Sequence, residues 1–156
     1  IMNVYEYAMK VEKDGEAYYN HLASKAPNKG LKKVFHILAE AEVSHYNVFK
    51  SMRDKDGSDF KAIDISTDTK TIFETLNAQR ANVSFDADQI KFYEDAIKRE
   101  EDSYQFYIDK AQELENEDEK TAFINIAKEE VKHKAILEEI IHFIQEPDNW
   151  VESAEF

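Results

Sequence analysis

The sequence predicts an all-α protein: a four-helix bundle of two duplicated antiparallel helix hairpins joined by a long crossover. Three observations carry this. Three glycines, two prolines and 34% charged residues in 156 suit a strongly helical chain. Apolar residues recur at three- and four-residue spacings over four long stretches, as on the buried stripe of an amphipathic helix. Sliding the chain by 88 residues without gaps sets 4–52 on 92–140 with fifteen identities in forty-nine positions, among them Tyr5/Tyr93, Ala8/Ala96, Lys10/Lys98, Phe35/Phe123 and Ala39/Ala127. An ungapped self-match of that length exceeds what shared helical composition gives and reads as a duplicated two-helix unit. A chain of this length is expected to form one domain, 1–156, with a core that needs no staples.

The first helix should span about 2–25, with Tyr5, Ala8, Glu12, Gly15, Tyr19 and Leu22 on one face. Ala26-Pro27-Asn28 ends it, because the residue before proline avoids the α region. Asn28 is then the N-cap of a second helix, about 29–55, whose stripe holds Leu31, Phe35, Leu38, Phe49 and Met52. Basic residues and a stop at Gly57 fit its C-terminus. Residues 57–85 differ in kind. Ser, Thr, Asp and Asn are frequent there, and the convincing helical piece is short, about 71–80, with Ile72, Phe73 and Leu76. A connection this long has an architectural task. If the first two helices form one hairpin and the last two another, the chain must cross the full bundle length between them, which is the ferritin-like topology.

The third helix, about 86–115, opens at Ser84 or Asp86, with Gln89 in capping-box position after Asp86. Its stripe is Tyr93, Ala96, Glu100, Ser103, Tyr107 and Leu114. Asn116, with Glu119 three residues later, caps a fourth helix, about 117–145, that stops before Pro147. The tail, with Trp150 and Phe156, is too short for another bundle helix and is expected to pack on the surface or on a neighbouring subunit.

A net charge of −13 argues against a nucleic-acid partner, since phosphate binding wants clustered Lys and Arg. No apolar run approaches the roughly 18 residues of a membrane span, and no signal-peptide pattern opens the sequence at Ile1, so a cytoplasmic protein without membrane association is expected. The absence of cysteine excludes disulfides, cysteine nucleophiles and iron–sulfur centres within these residues, and fits a reducing compartment.

The chemistry lies where the stripes turn polar. Glu42 and His45 stand where the rhythm calls for leucine, and Glu130 and His133 repeat them on a stripe with Phe123, Ile126, Leu137 and Ile140. A carboxylate and an imidazole facing a core are costly unless something binds them, and a metal ion would. Residues three apart share a helix face, about 5–6 Å apart at Cβ, so Glu-x-x-His aims an oxygen and a nitrogen at one point. Two such helices and one inward Glu from each of two others make a dimetal ligand set: Glu12, Glu42, His45, Glu100, Glu130 and His133. Four carboxylates balance two divalent ions. Glu42 and Glu130 are the favoured bridges, because each shares a face with a terminal His. The donor types suit two iron ions, with manganese as an alternative and zinc as an adventitious, redox-silent occupant.

Tyr19 and Tyr107, seven residues after Glu12 and Glu100, are placed to hydrogen-bond a ligand carboxylate, or else to fill the core. His21, His36 and His142 have no repeat partner and read as surface or structural. Glu40 and Glu129 flank the motifs on another face and read as solvated, with Glu129 a candidate support for the site.

Glu12-x6-Tyr19 with Glu42-x-x-His45, and Glu100-x6-Tyr107 with Glu130-x-x-His133, resemble the di-iron domain of the rubrerythrin family over roughly 4–144. The resemblance implies a non-haem di-iron centre that reduces hydrogen peroxide or reacts with dioxygen, and a homodimer, sometimes with exchanged helices. Two departures stand out. Rubrerythrins usually carry a further glutamate three residues after the third-helix ligand, where this chain has Ser103, which puts that family's redox-linked iron movement in doubt here. They also carry a cysteine-ligated rubredoxin centre, which these residues cannot form, so the resemblance is to the short, rubredoxin-less branch. The expected function is an oxidative-stress oxidoreductase, a peroxidase fed by an external electron-donor protein. The alternatives are a ferroxidase or iron-handling protein, and a non-enzymatic metal-binding bundle.

Overall fold

The computed structural model describes residues 2–55, 69–78 and 87–145. They form five helices: α1 (Val4–Ser24), α2 (Lys29–Asp54), α3 (Thr69–Ala78), α4 (Ala87–Glu113) and α5 (Glu117–Gln145). No strand occurs among the described residues, so the all-α class holds.

Local chemistry sets the helix ends. α1 begins two residues later than the hydrophobic rhythm suggests, because Asn3 caps it. The Glu6 N–H donates to Asn3 Oδ1 at 2.8 Å and the Asn3 N–H to Glu6 Oε1 at 3.4 Å, a capping box written in Asn3-Val4-Tyr5-Glu6. Asn28 and Asn116, 88 residues apart, do the same work in the two hairpins. Asn28 Oδ1 accepts from Leu31 N–H at 2.9 Å and Asn116 Oδ1 from Glu119 N–H at 3.0 Å. α2 ends on Lys55, left-handed at φ 48°, with its N–H on the Ser51 carbonyl. The left-handed stop is therefore a lysine, at a cost of about 1–2 kcal/mol, and the Gly57 expected in that role lies outside the described residues. α4 closes at Glu113 because the Leu114 N–H turns back to the Ala111 carbonyl at 3.3 Å, which frees Asn116 to start α5. α3 begins at Thr69, two residues before the expected start at 71, and the expected end at 80 falls outside the described residues. The rest of the crossover, the Ser84 and Asp86 caps and the tail with Trp150 and Phe156 fall outside the described residues.

α1 packs along α2 and α4 along α5 as two hairpins, and α3 lies against α2. The hairpins meet with α1 antiparallel to α4. Tyr7 near the start of α1 sits on Phe106 at 4.8 Å between ring centroids, while the Tyr18 hydroxyl, two-thirds along α1, reaches the Phe92 carbonyl near the start of α4 at 2.8 Å.

Two apolar clusters result. One gathers Leu22, Leu31, Phe35, Leu38, Tyr93, Ile136, Ile140 and, from α3, Ile72, Phe73 and Leu76. The other, at the opposite end, gathers Ala8, Val48, Phe49, Met52, Tyr107, Phe123 and Ile126, with Phe49 and Phe123 edge to face at 5.0 Å. Burying a Leu, Ile or Phe side chain contributes about 1.5–3 kcal/mol each, so these two clusters can hold the hairpins together around whatever lies between them.

Candidate metal centre

Between the apolar clusters lies a polar layer. Glu12 and Glu100 reach it from the middle of α1 and α4, and Glu42, His45, Glu130 and His133 from the middle of α2 and α5. All six are buried, at 0–4% exposure. Each is on its helix's apolar stripe, so the packing that buries the leucines buries these groups too.

The six converge as two overlapping quartets. Ligand-type atoms of Glu12, Glu42, His45 and Glu130 lie within 4.8 Å of one another, and so do those of Glu42, Glu100, Glu130 and His133. Glu42 and Glu130 belong to both. The hairpins interlock here. His45 Nδ1 stands 3.4 Å from Glu12 Oε2 of its own hairpin and 3.3 Å from Glu130 Oε1 of the other. His133 Nδ1 stands 3.5 Å from Glu100 Oε1 and 3.9 Å from Glu42 Oε1. The two imidazoles stack with centroids 5.9 Å apart, 11° from parallel.

Tyr19 and Tyr107 both bond site carboxylates, and each crosses to the other hairpin. The Tyr107 hydroxyl donates to Glu12 Oε1 at 2.7 Å, and the Tyr19 hydroxyl donates to Glu100 Oε1. Seven residues is nearly two turns along a helix, too far for a tyrosine to return to its own glutamate. Antiparallel α1 and α4 bring it to its repeat partner's instead.

Two residues matter that the sequence reading undervalued. Glu129, expected in solvent, is 3% exposed, pairs with Lys132 at 3.3 Å and sets Oε1 3.8 Å from His133 Nε2. Four residues before His133 it shares that face of α5. Glu129 thus lies on the Nε2 side of the His133 ring, while Nδ1 faces Glu100 and Glu42. The repeat hid this placement, since the matching residue is Ala41, but the i,i+4 spacing to His133 was there to read. Gly15 is the other. A Cβ there would stand 3.0 Å from Glu42 Cδ and 3.1 and 3.3 Å from its oxygens. A glycine in a helix interior costs about 1 kcal/mol, and that cost was the available signal. His21, His36 and Glu40 are exposed and His142 is half-buried, all away from the cluster.

Electrostatics show what the layer lacks. Burial, with neighbouring carboxylates adding to it, pushes Glu42 and Glu130 well above the usual carboxylate range. Burial pushes Glu12 up to about 7 against the hydrogen bonds from Glu42 and Tyr107. Burial holds His45 down at about 4. At His133 burial is outweighed by Glu100, which lifts the imidazole to about 8, while at Glu100 burial is outweighed by His133 and by bonds from Glu130 and Tyr19, which hold it low. Burial keeps both tyrosines protonated, so each remains a donor.

The residues fit a pair of cations. Glu12 Oε2, Glu100 Oε2, Glu130 Oε1 and both ring nitrogens of His45 are buried with no hydrogen-bond partner among the described residues. Such atoms are expensive to leave unmatched. All are oxygen or imidazole nitrogen, the donors iron and manganese take.

Comparison with known families places the chain. The family model described as Rubrerythrin matches residues 3–141. A search of curated proteins found no match, and neither did a search of solved structures.

Two outcomes are expected. Glu12, Glu42 and Glu130 hold protons in the folded metal-free chain above the ordinary carboxyl value of 4.5, so the folded state binds more protons than the unfolded one up to about pH 7. His133 extends this from 6.5 to about 8, and His45 opposes it only between about 4 and 6.5. Urea unfolding of the metal-free protein should therefore show stability falling as pH rises from 5 to 8; a rise over that range would contradict the assignment. Gly15→Ala gains up to about 1 kcal/mol of helix propensity but pushes Glu42 aside, so it should weaken metal binding about tenfold, read by calorimetric titration. Unchanged affinity would show that Glu42 does not need that space.

Proposed function

Because the chain belongs to the rubrerythrin family, we propose that its buried cluster holds two iron ions and that the protein reduces hydrogen peroxide there with electrons from an external donor. The observation that supports a dinuclear centre is the sharing of Glu42 and Glu130 between the two quartets. In this reading Glu12, Glu42, His45 and Glu130 would hold one ion and Glu42, Glu100, Glu130 and His133 the other, with Glu42 and Glu130 common to both. What an iron pair supplies when bound is two electrons, which with two protons convert one hydrogen peroxide to two waters.

The chain's own groups do the rest. Tyr107 and Tyr19 hold one oxygen each of Glu12 and Glu100, which fixes the orientation of the other oxygen. The two apolar clusters exclude water along the bundle axis. Glu129 stands behind His133, with Oε1 3.8 Å from Nε2. The 156 residues hold no cysteine with which to build an iron–sulfur relay, so in this reading the electrons reach the site from outside them.

The test is anaerobic loading with Fe(II) followed by stopped-flow absorbance. Oxidation by peroxide at least about tenfold faster than by dioxygen at equal concentration, with iron retained through repeated cycles, is the expected result. Faster reaction with dioxygen would replace the peroxidase reading by an oxidase, and release of iron after oxidation would replace it by iron handling.

A further inference from the structure

The two hairpins match in their six ligands and differ in what covers them. Between α4 and α5 a surface pocket of about 300 Å³ has Glu100 and Glu130 at its floor and Glu101, Tyr104, Val131 and Lys134 at its rim. Tyr104 and Val131 are 36% and 49% exposed, an apolar rim beside a layer of buried acid. A loose ion pair, Lys134 to Glu101 at 3.5 Å, spans the mouth.

The repeat supplies an internal control. Eighty-eight residues earlier the same places on α1 and α2 are Lys13, Glu16, Val43 and Tyr46. Where α5 has the flexible Lys134, α2 has Tyr46, half-buried against the apolar cluster. Where α4 has Glu101, α1 has Lys13, whose Nζ lies 5.5 Å from the Tyr46 ring centroid and 3.1 Å from Glu16. A ring seated on the core makes a fixed lid, to which the largely exposed Lys13 adds little. Two partly solvated charged chains do not, since such pairs contribute about 0–1 kcal/mol and open readily.

From this we propose that the α4–α5 pocket is the entrance by which the small-molecule oxidant reaches the site, and that the α1–α2 face is closed by the Tyr46 ring. The inference rests on the dinuclear reading above. The pocket admits a molecule of a few heavy atoms, water's share of liquid volume being about 30 Å³. The two charged groups left at the rim, Glu101 and Lys134, offset each other, which suits an uncharged guest, the charge state of hydrogen peroxide and of dioxygen.

The probe is nitric oxide, neutral and of similar size, binding to the anaerobic Fe(II)-loaded protein and followed by visible absorbance. Val131→Trp fills the α4–α5 pocket, and Gln105→Trp, on the same wall but farther from the ligands in sequence, repeats the test should the first variant lose iron. Their repeat mates, Val43→Trp and Ala17→Trp, load the other face. At two irons per chain, the α4–α5 variants should bind nitric oxide about tenfold more slowly and the α1–α2 variants within about twofold of the parent. Parent-like rates in the α4–α5 variants, or equal slowing on both faces, would overturn the entrance. Failure of the parent itself to take up iron would overturn the dinuclear reading and the entrance together.

Discussion

Four carboxylates and two imidazoles share one buried layer, and the rest of the bundle answers to that constraint. Two unit charges about 4 Å apart repel by about 4 kcal/mol at an effective dielectric near 20, and each buried ion adds several kcal/mol of desolvation. Without cations the layer avoids this by holding protons, which is the meaning of the raised Glu12, Glu42 and Glu130. With two divalent cations the protons become unnecessary and the charges balance. The apolar clusters on either side keep a frustrated layer in place, and the tyrosine bonds, each crossing from one hairpin to the other, fix the glutamates that α1 and α4 contribute.

Duplication explains the ligand symmetry, and divergence explains the rest. The caps Asn28 and Asn116, the surface pairs Lys10–Asp14 and Lys98–Asp102 (2.9 Å each) and the crossed tyrosines still obey the repeat. Around the ligands it has lapsed at Gly15/Ser103, Ala41/Glu129, Lys13/Glu101 and Tyr46/Lys134. The lapses change the surroundings of the six residues without changing the residues themselves: room for Glu42, a carboxylate behind His133, a ring over α1–α2 and a pocket between α4 and α5. Two quartets built from the same motif therefore sit in unequal surroundings.

The sequence made the fold class and the site legible for one reason. A polar residue on an apolar stripe is visible in the hydrophobic rhythm, and the repeat doubled each instance. Glu42 with His45 would have been a weak signal without Glu130 with His133. What stayed hidden depended on three-dimensional neighbours. Nothing in Glu12-x6-Tyr19 says that Tyr19 bonds Glu100, because that needs the antiparallel pairing of α1 with α4. Glu129 looked solvated because its repeat mate is alanine, and its burial comes from how α5 packs. Lys55 took the left-handed stop expected at Gly57, an outcome set by the local backbone. At Asn3 the capping box with Glu6 decides where α1 starts, although the helical rhythm extends through Met2.

The central claim is that one buried layer holds two metal ions through two shared glutamates. Anomalous diffraction at the iron edge, from crystals of the anaerobically Fe(II)-loaded protein, tests it most directly. Two peaks per chain, each within bonding distance of both Glu42 and Glu130, with His45 on one and His133 on the other, is the predicted result. A single peak, or iron held only by surface carboxylates, would contradict the account.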